Sequence, residues 1–274
     1  MGNLDGKLYI GSYPGARLSV YDPSQPYRFG TEADANPREL GRLDDVAYRP
    51  RAMVAGPAGK VWIGSIPDYG IWGGTLAWYD PSTGAHGSHR HLIADCSVQA
   101  LSWLVEDNRL LVGLAIEGGT GTQPRAERAG LVLWDPEQDA AVWTDDFGLN
   151  INAVFDVCAI GDGLAYAIIL SNAADAHPGL YLLDTRCRRL VDGCELTDPP
   201  HGWPMWGAQS LFRHRGYLYG ATGRGVFRTP VGTVTPEIVW EAAGNDAPTS
   251  GGAVLDNTWY FPTRYRLRAL SLPE

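Results

Sequence analysis

The chain has 274 residues, enough to bury a large core as one big domain or two ordinary ones. Its net charge of −9 argues against general binding to nucleic acid or an anionic membrane, and its apolar residues, 45% of the whole, nowhere run to the ~20 that a membrane helix needs. The 34 Gly, 19 Pro, 10 Trp and 13 Tyr predict many short strands and turns in place of long helices.

Met1 to Gly6 shows neither the basic nor the apolar part of a signal peptide, which leaves the compartment unknown, with the cytoplasm as default. The first predicted strand, "KLYIGS" from Lys7, is followed by a variable loop, a strand ending at Tyr21-Asp22-Pro23 and a ragged last strand. The same unit recurs along the chain: an apolar strand A, a polar turn, an aromatic strand B, a variable loop, a strand C and a strand D. The later B strands are "KVWIGS" at Lys60, "RLLVGL" at Arg109, "LAYAII" at Leu164, "YLYGAT" at Tyr217 and "TWYFPT" at Thr258. Their C strands end at Tyr79-Asp80-Pro81, Trp134-Asp135-Pro136, Leu183-Asp184-Thr185, Arg228-Thr229-Pro230 and Ser271-Leu272-Pro273, at successive spacings of 58, 55, 49, 45 and 43 residues. Asp-Pro suits such a corner, because Pro presets φ and Asp accepts hydrogen bonds from the backbone beyond it. The first copy reads as lacking strand A and the last as lacking strand D.

Four strands in ~45 to 55 residues, repeated, predict an all-β fold of propeller blades. An open β-sandwich would not need so regular a correspondence. Four whole blades and two partial ones form either a six-sheet ring with imperfect closure or part of a larger propeller. The expected segments of a single domain, 1–274, are about 1–50, 51–98, 99–150, 151–205, 206–248 and 249–274. With "GSYPGARLSVYDP" and its counterparts, the chain resembles the propeller group of YVTN repeats, gluconolactonase-like proteins, virginiamycin B lyase and several polysaccharide lyases.

In such a propeller the B–C and D–A connections share one face. Three B–C loops on that face are expanded: Asp68 to Gly74, Ala115 to Gly130 and Ser171 to Gly179. The opposite turns, "GPAG" and "PSTG", stay short, so the expanded face is expected to bind. Residues entering the A strands, Arg51, Gln99, Asn152 and Gln209, are expected at the channel mouth. Arg125, Arg128, Arg224, Arg264 and Arg266 add positive charge on the same face, suited to a carboxylate, sulfate or phosphate. Trp72, Trp203 and Trp206 are candidates to stack on sugar rings.

Gluconolactonase-like propellers hold a divalent cation with axial carboxylates. Here only Asp156 approaches that position, so no metal or other cofactor is expected, and "HGSHRH" at His86 reads as a solvent-facing strand. The four cysteines form no Cys-x-x-Cys pair. Cys187 and Cys194 flank one hairpin and would bridge in an oxidising compartment or stay as thiols in a reducing one. The sequence suggests a carbohydrate-active propeller, a lyase on a uronate-containing glycan, with Tyr69, His177 and His201 as acid–base candidates. The alternative is a non-catalytic scaffold for a protein or small anionic ligand. Unpaired strand edges further suggest self-association or a partner chain.

Overall fold

The computed structural model describes residues 1–173, 176–196, 210–222, 225–243, 246, 248–263 and 265–273. Strands that follow one another in sequence lie side by side. β1 (Gly2–Leu4), β2 (Lys7–Ser12), β3 (Arg17–Tyr21) and β4 (Arg38–Arg42) form the first antiparallel sheet in that order. β5 (Ala47–Ala55), β6 (Val61–Pro67), β7 (Thr75–Tyr79) and β8 (His86–Arg90) form the second. β9 (Ser97–Leu104), β10 (Arg109–Ala115), β11 (Leu131–Asp135) and β12 (Ala140–Asp145) form the third. β13 (Ile151–Gly161), β14 (Leu164–Ser171), β15 (Gly179–Asp184) and β16 (Arg189–Glu195) form the fourth, joined to the third by the pair Ala115 and Ala153. β17 (Phe212–His214), β18 (Tyr217–Thr222), β19 (Gly225–Pro230) and β20 (Glu237–Glu241) form the fifth. β21 (Ala253–Leu255), β22 (Thr258–Thr263) and β23 (Arg266–Ser271) form a three-stranded sixth.

This succession of four-stranded antiparallel sheets, each packed on the next, is a β-propeller. The strands named B coincide with β2, β6, β10, β14, β18 and β22. One correction concerns the first copy, which does possess strand A: Gly2–Leu4 pairs with Tyr9 to Lys7. Three residues are too few to show a period of two. Among the described residues the sixth sheet has no strand D, in line with the sequence reading. Cys96, Cys158, Cys187 and Cys194 are all free thiols, so the Cys187–Cys194 bridge is absent.

The core lies between sheets, not within one centre. All of β6 and β11 is buried, since an inner strand is covered on both faces, whereas β12 and β16 at the rim are mostly exposed. In the first five sheets the third residue of the B strand packs toward the following sheet: Tyr9, Trp62, Leu111, Tyr166 and Tyr219 are all buried. The recurrent glycine two places later has a steric cause. A Cβ on Gly64 would stand 2.5 Å from Val98 Cγ1, and one on Gly113 would stand 2.6 Å from Val154 Cγ1. At the C–D corners Asp80 accepts from the Ser82 and Thr83 hydroxyls, and Asp135 accepts from the Glu137 and Gln138 amides. Among the described residues no helix is long and apolar enough to cross a membrane.

Candidate functional site

The expanded B–C loops of the second and third sheets bind one another. Gly119 N–H donates to the Ile71 carbonyl at 2.8 Å, and Gly70 N–H donates to the Thr120 carbonyl at 3.1 Å. A Cβ on Gly119 would lie only 1.8 Å from the Asp68 carbonyl oxygen, so the loops can approach only because this residue is glycine. Trp72 Nε1 donates to the Gln123 carbonyl at 2.8 Å, and the Arg125 guanidinium lies 3.3 Å from the centre of the Trp72 ring. One face of that indole is therefore already covered. Arg90 reaches the Trp72 carbonyl at 3.0 Å, which ties a D strand to the same loop.

Beside these loops stands a group of aromatics around one cation. Arg49, near the start of β5, lies 5.6 Å from the ring centre of Tyr13, 5.6 Å from Tyr48 and 5.2 Å from Tyr69. Tyr48 meets Tyr13 and Tyr69 edge-on, at 85° and 81°. Arg49 also donates to the Tyr69 hydroxyl at 3.4 Å. Tyr13 is 57% exposed and Tyr69 52%, so the rings meet solvent as well as the cation. The quadrupole of each ring favours a cation over its face.

Arg51, two residues on, has a side chain only 4% exposed, and its guanidinium lies 3.7 Å from Glu117 Oε2. The same oxygen accepts from Gln99 Nε2 at 3.2 Å. Burial holds the Arg51 pKa below its ordinary value, with Glu117 raising it and Arg49 lowering it further. Two cations therefore stand near Glu117, between the second and third sheets. At 3.7 Å the Arg51–Glu117 pair is longer than a forked guanidinium–carboxylate hydrogen bond.

The structure thus brings Arg51 and Gln99 together, both from A strands. Asn152, of the fourth sheet, donates instead to Asn172 at 3.4 Å, and Asn172 donates to the Glu127 carbonyl at 2.9 Å. Asp156 is buried and accepts from the Leu211 amide at 2.7 Å, which anchors the fifth sheet to the fourth. His177 is exposed on the fourth sheet's loop. His201, Trp203, Trp206, Gln209, Arg224 and Arg264 lie outside the described residues. His89 packs against Trp134 with ring centres 4.7 Å apart and planes tilted by 50°, and an Asp139 oxygen lies 2.9 Å from its Nε2.

Sequence reasoning missed Tyr13, Tyr48 and Arg49, and did not pair Glu117 with Arg51 and Gln99. The available signal was a tyrosine opening the B–C loop in both of the first two copies, Tyr13 and Tyr69. Tyr48 and Arg49 lie just before the residue taken as the start of strand A.

Neither a protein-family profile nor any curated protein matches the chain. Solved structures do resemble it. It is similar to the WD40 beta propeller domain of Doa1, at 14% identity and a TM-score of 0.63, over 97% of this chain and 76% of that one. It is also similar to the extracellular domain of a B. thetaiotaomicron protein named as a one component system, at 15% identity and a TM-score of 0.59. That match covers 98% of this chain but 32% of the other, so the chain spans about a third of that length. A Bacteroides caccae protein of unknown function matches at 10% identity and a TM-score of 0.58, over 93% of this chain and 81% of its own. At these identities the likeness establishes the fold alone.

Proposed function

We propose that the channel mouth binds an anionic ligand carrying a ring, with uronate-containing glycans as the class that fits best. The observation that carries this reading is the buried Arg51 beside Arg49 within its tyrosine group. A carboxylate displacing or sharing Glu117 would receive charge-assisted hydrogen bonds from the two guanidinium groups, and Tyr13 or Tyr69 would present an apolar face to the sugar. Gln99 would add an amide donor. The test is calorimetric titration with an oligouronate and with its neutral counterpart. Binding of the first and not of the second supports the reading, while equal binding of both removes the role of the cations.

A second reading makes the protein a lyase at this site. It is favoured by the Tyr69 hydroxyl, which stands 3.4 Å from the Arg49 guanidinium. Bound there, a uronate would have its carboxylate neutralised by the arginines. With its hydroxyl deprotonated, Tyr69 would take the C5 proton, the electron pair of the C5–H bond would form the C4–C5 double bond as the C4–O bond breaks, and a protonated donor such as His177 or His201 would give its proton to the leaving oxygen. Appearance of the absorbance of an unsaturated uronate, lost in Tyr69→Phe, tests this reading separately from binding.

A further inference from the structure

The sheets repeat so regularly that the same position can be compared six times. The fifth residue of each B strand pairs with a C-strand residue that faces the following sheet. In the first five sheets that residue is Leu18, Leu76, Leu131, Leu180 or Val226, each 0% exposed. In the sixth it is Leu267, paired with Pro262, and it is 73% exposed. The third B-strand residue follows the same rule. It is buried in Tyr9, Trp62, Leu111, Tyr166 and Tyr219, whereas Tyr260 is 37% exposed. Leu255, 63% exposed, lies on this same face through the register of β21 with β22.

The opposite face of a sheet, which meets the preceding one, uses the second and fourth B-strand residues. Val61, Leu110, Ala165, Leu218 and Trp259 are each 0% exposed in the second position. In the first sheet that position is Leu8, and the fourth is Ile10; both are only partly buried. Apolar clusters fill the seams from the first sheet through to the sixth, and among the described residues none joins the sixth to the first. Among the described residues, therefore, one forward face and one backward face are left without an apolar cluster to cover them.

We propose that these two faces form a head-to-tail interface between copies of this chain, with Leu267, Tyr260 and Leu255 of one copy covered by Leu8 and Ile10 of the next. Five internal seams show what covers a forward face in this molecule: the second and fourth B-strand residues of another sheet. The first sheet offers the one such set left only partly buried among the described B strands. Unlike surfaces then meet, so the contact is heterologous, and it propagates until the copies close on themselves. Association buries apolar area that a monomer exposes to water.

The experiment is sedimentation of the whole chain across a concentration series, with Leu267→Glu and Leu8→Glu separately and mixed. Both residues already meet solvent, and unchanged melting curves will confirm that the variants fold. The expected result is a multiple of the chain mass for the parent and a single-chain mass for each variant alone. The one-to-one mixture is expected at the mass of two chains, since each variant keeps the half that the other has lost. A parent that stays at one-chain mass throughout overturns the proposal. So do variants that associate as the parent does, which would point to the open edge of β23, and a mixture that stays monomeric. As a second readout, Leu8→Cys and Leu267→Cys chains, both with Cys187→Ser and carrying different tags, are mixed and oxidised. A cross-link between the two tags is expected. If the two cysteines placed in one chain join only within that chain, the ring closes on itself and the interface does not exist.

Discussion

Single residues decide both the seams and the mouth. Trp62 is fully buried between sheets, with its Nε1 donating to the Pro57 carbonyl at 3.1 Å. Trp62→Ala is expected to cost roughly 3–5 kcal/mol, read by denaturant unfolding, because both the transfer of the ring and the cavity left behind count. A variant as stable as the parent would contradict the placement of the seam. At the mouth, Arg51→Lys is expected to recover only part of the affinity for an anion, because lysine lacks the planar fork. The reference for that comparison is Arg189→Ala, on a rim strand where Arg189 meets Asp184 at 3.5 Å, and its affinity should equal that of the parent. Arg90 cannot serve, since it holds the Trp72 carbonyl. Arg51 and Gln99 were legible in the sequence as a matched pair at the head of the segments read as repeats, although β5 begins at Ala47 and Arg51 is its fifth residue. The tyrosines around Arg49 were not, because a cluster drawn from two loops and a strand start leaves no spacing to read.

Among the elements, the C–D corners and the paired loops carry the next expectations. Asp22, Asp80, Asp135 and Asp184 accept hydrogen bonds from residues two or three places on, and their carboxyls are held below the ordinary range. For Asp80, where the Ser82 hydroxyl is the largest cause, the value falls to about 2. A depressed carboxylate contributes stability that is present above its unfolded pKa of about 3.9 and is lost as pH falls through the folded value. The melting temperature should therefore drop between about pH 4 and pH 2, and Asp80→Asn should make that drop shallower. An unchanged slope would show that the corner contributes nothing. In the loops, Gly119→Val places atoms against the Asp68 carbonyl, so a loss of roughly 1–3 kcal/mol is expected, with faster proteolysis within 117–125. Strand B was legible in all six copies, since an apolar run, aromatic in five of them and with Gly or Ala at the fifth place in four, marks a sheet packed on both faces. β1 was not, because its three residues gain their place only by pairing with β2.

For the whole molecule, repetition told the fold. The sequence also suggested unequal ends, though the shortage proved smaller than expected: one strand, at the sixth sheet. Whether the ends met could not be read from pattern alone. Leu8 and Leu267 look like every other core position in their repeats, and only their exposure distinguishes them. Thiol chemistry follows the same layering. Burial pushes Cys96 and Cys158 up to about 12, while Cys187 is exposed. Alkylation of the folded chain should therefore mark Cys187 first and reach Cys96 and Cys158 after unfolding. Early labelling of Cys96, detected by mass spectrometry, would mean that the seam between the second and third sheets opens readily.

The central claim is that an anion is held at the mouth by Arg51. Its most direct test is titration of an oligouronate into the parent and into Arg51→Ala, with the bound anion located in crystals. Loss of a charge-assisted hydrogen bond is expected to weaken binding by roughly 1.5–3 kcal/mol, about 10- to 150-fold, with the anion found between Arg49 and Arg51. Equal affinity in the two proteins, or an anion bound beside His86 and His89 with the mouth empty, would contradict the account.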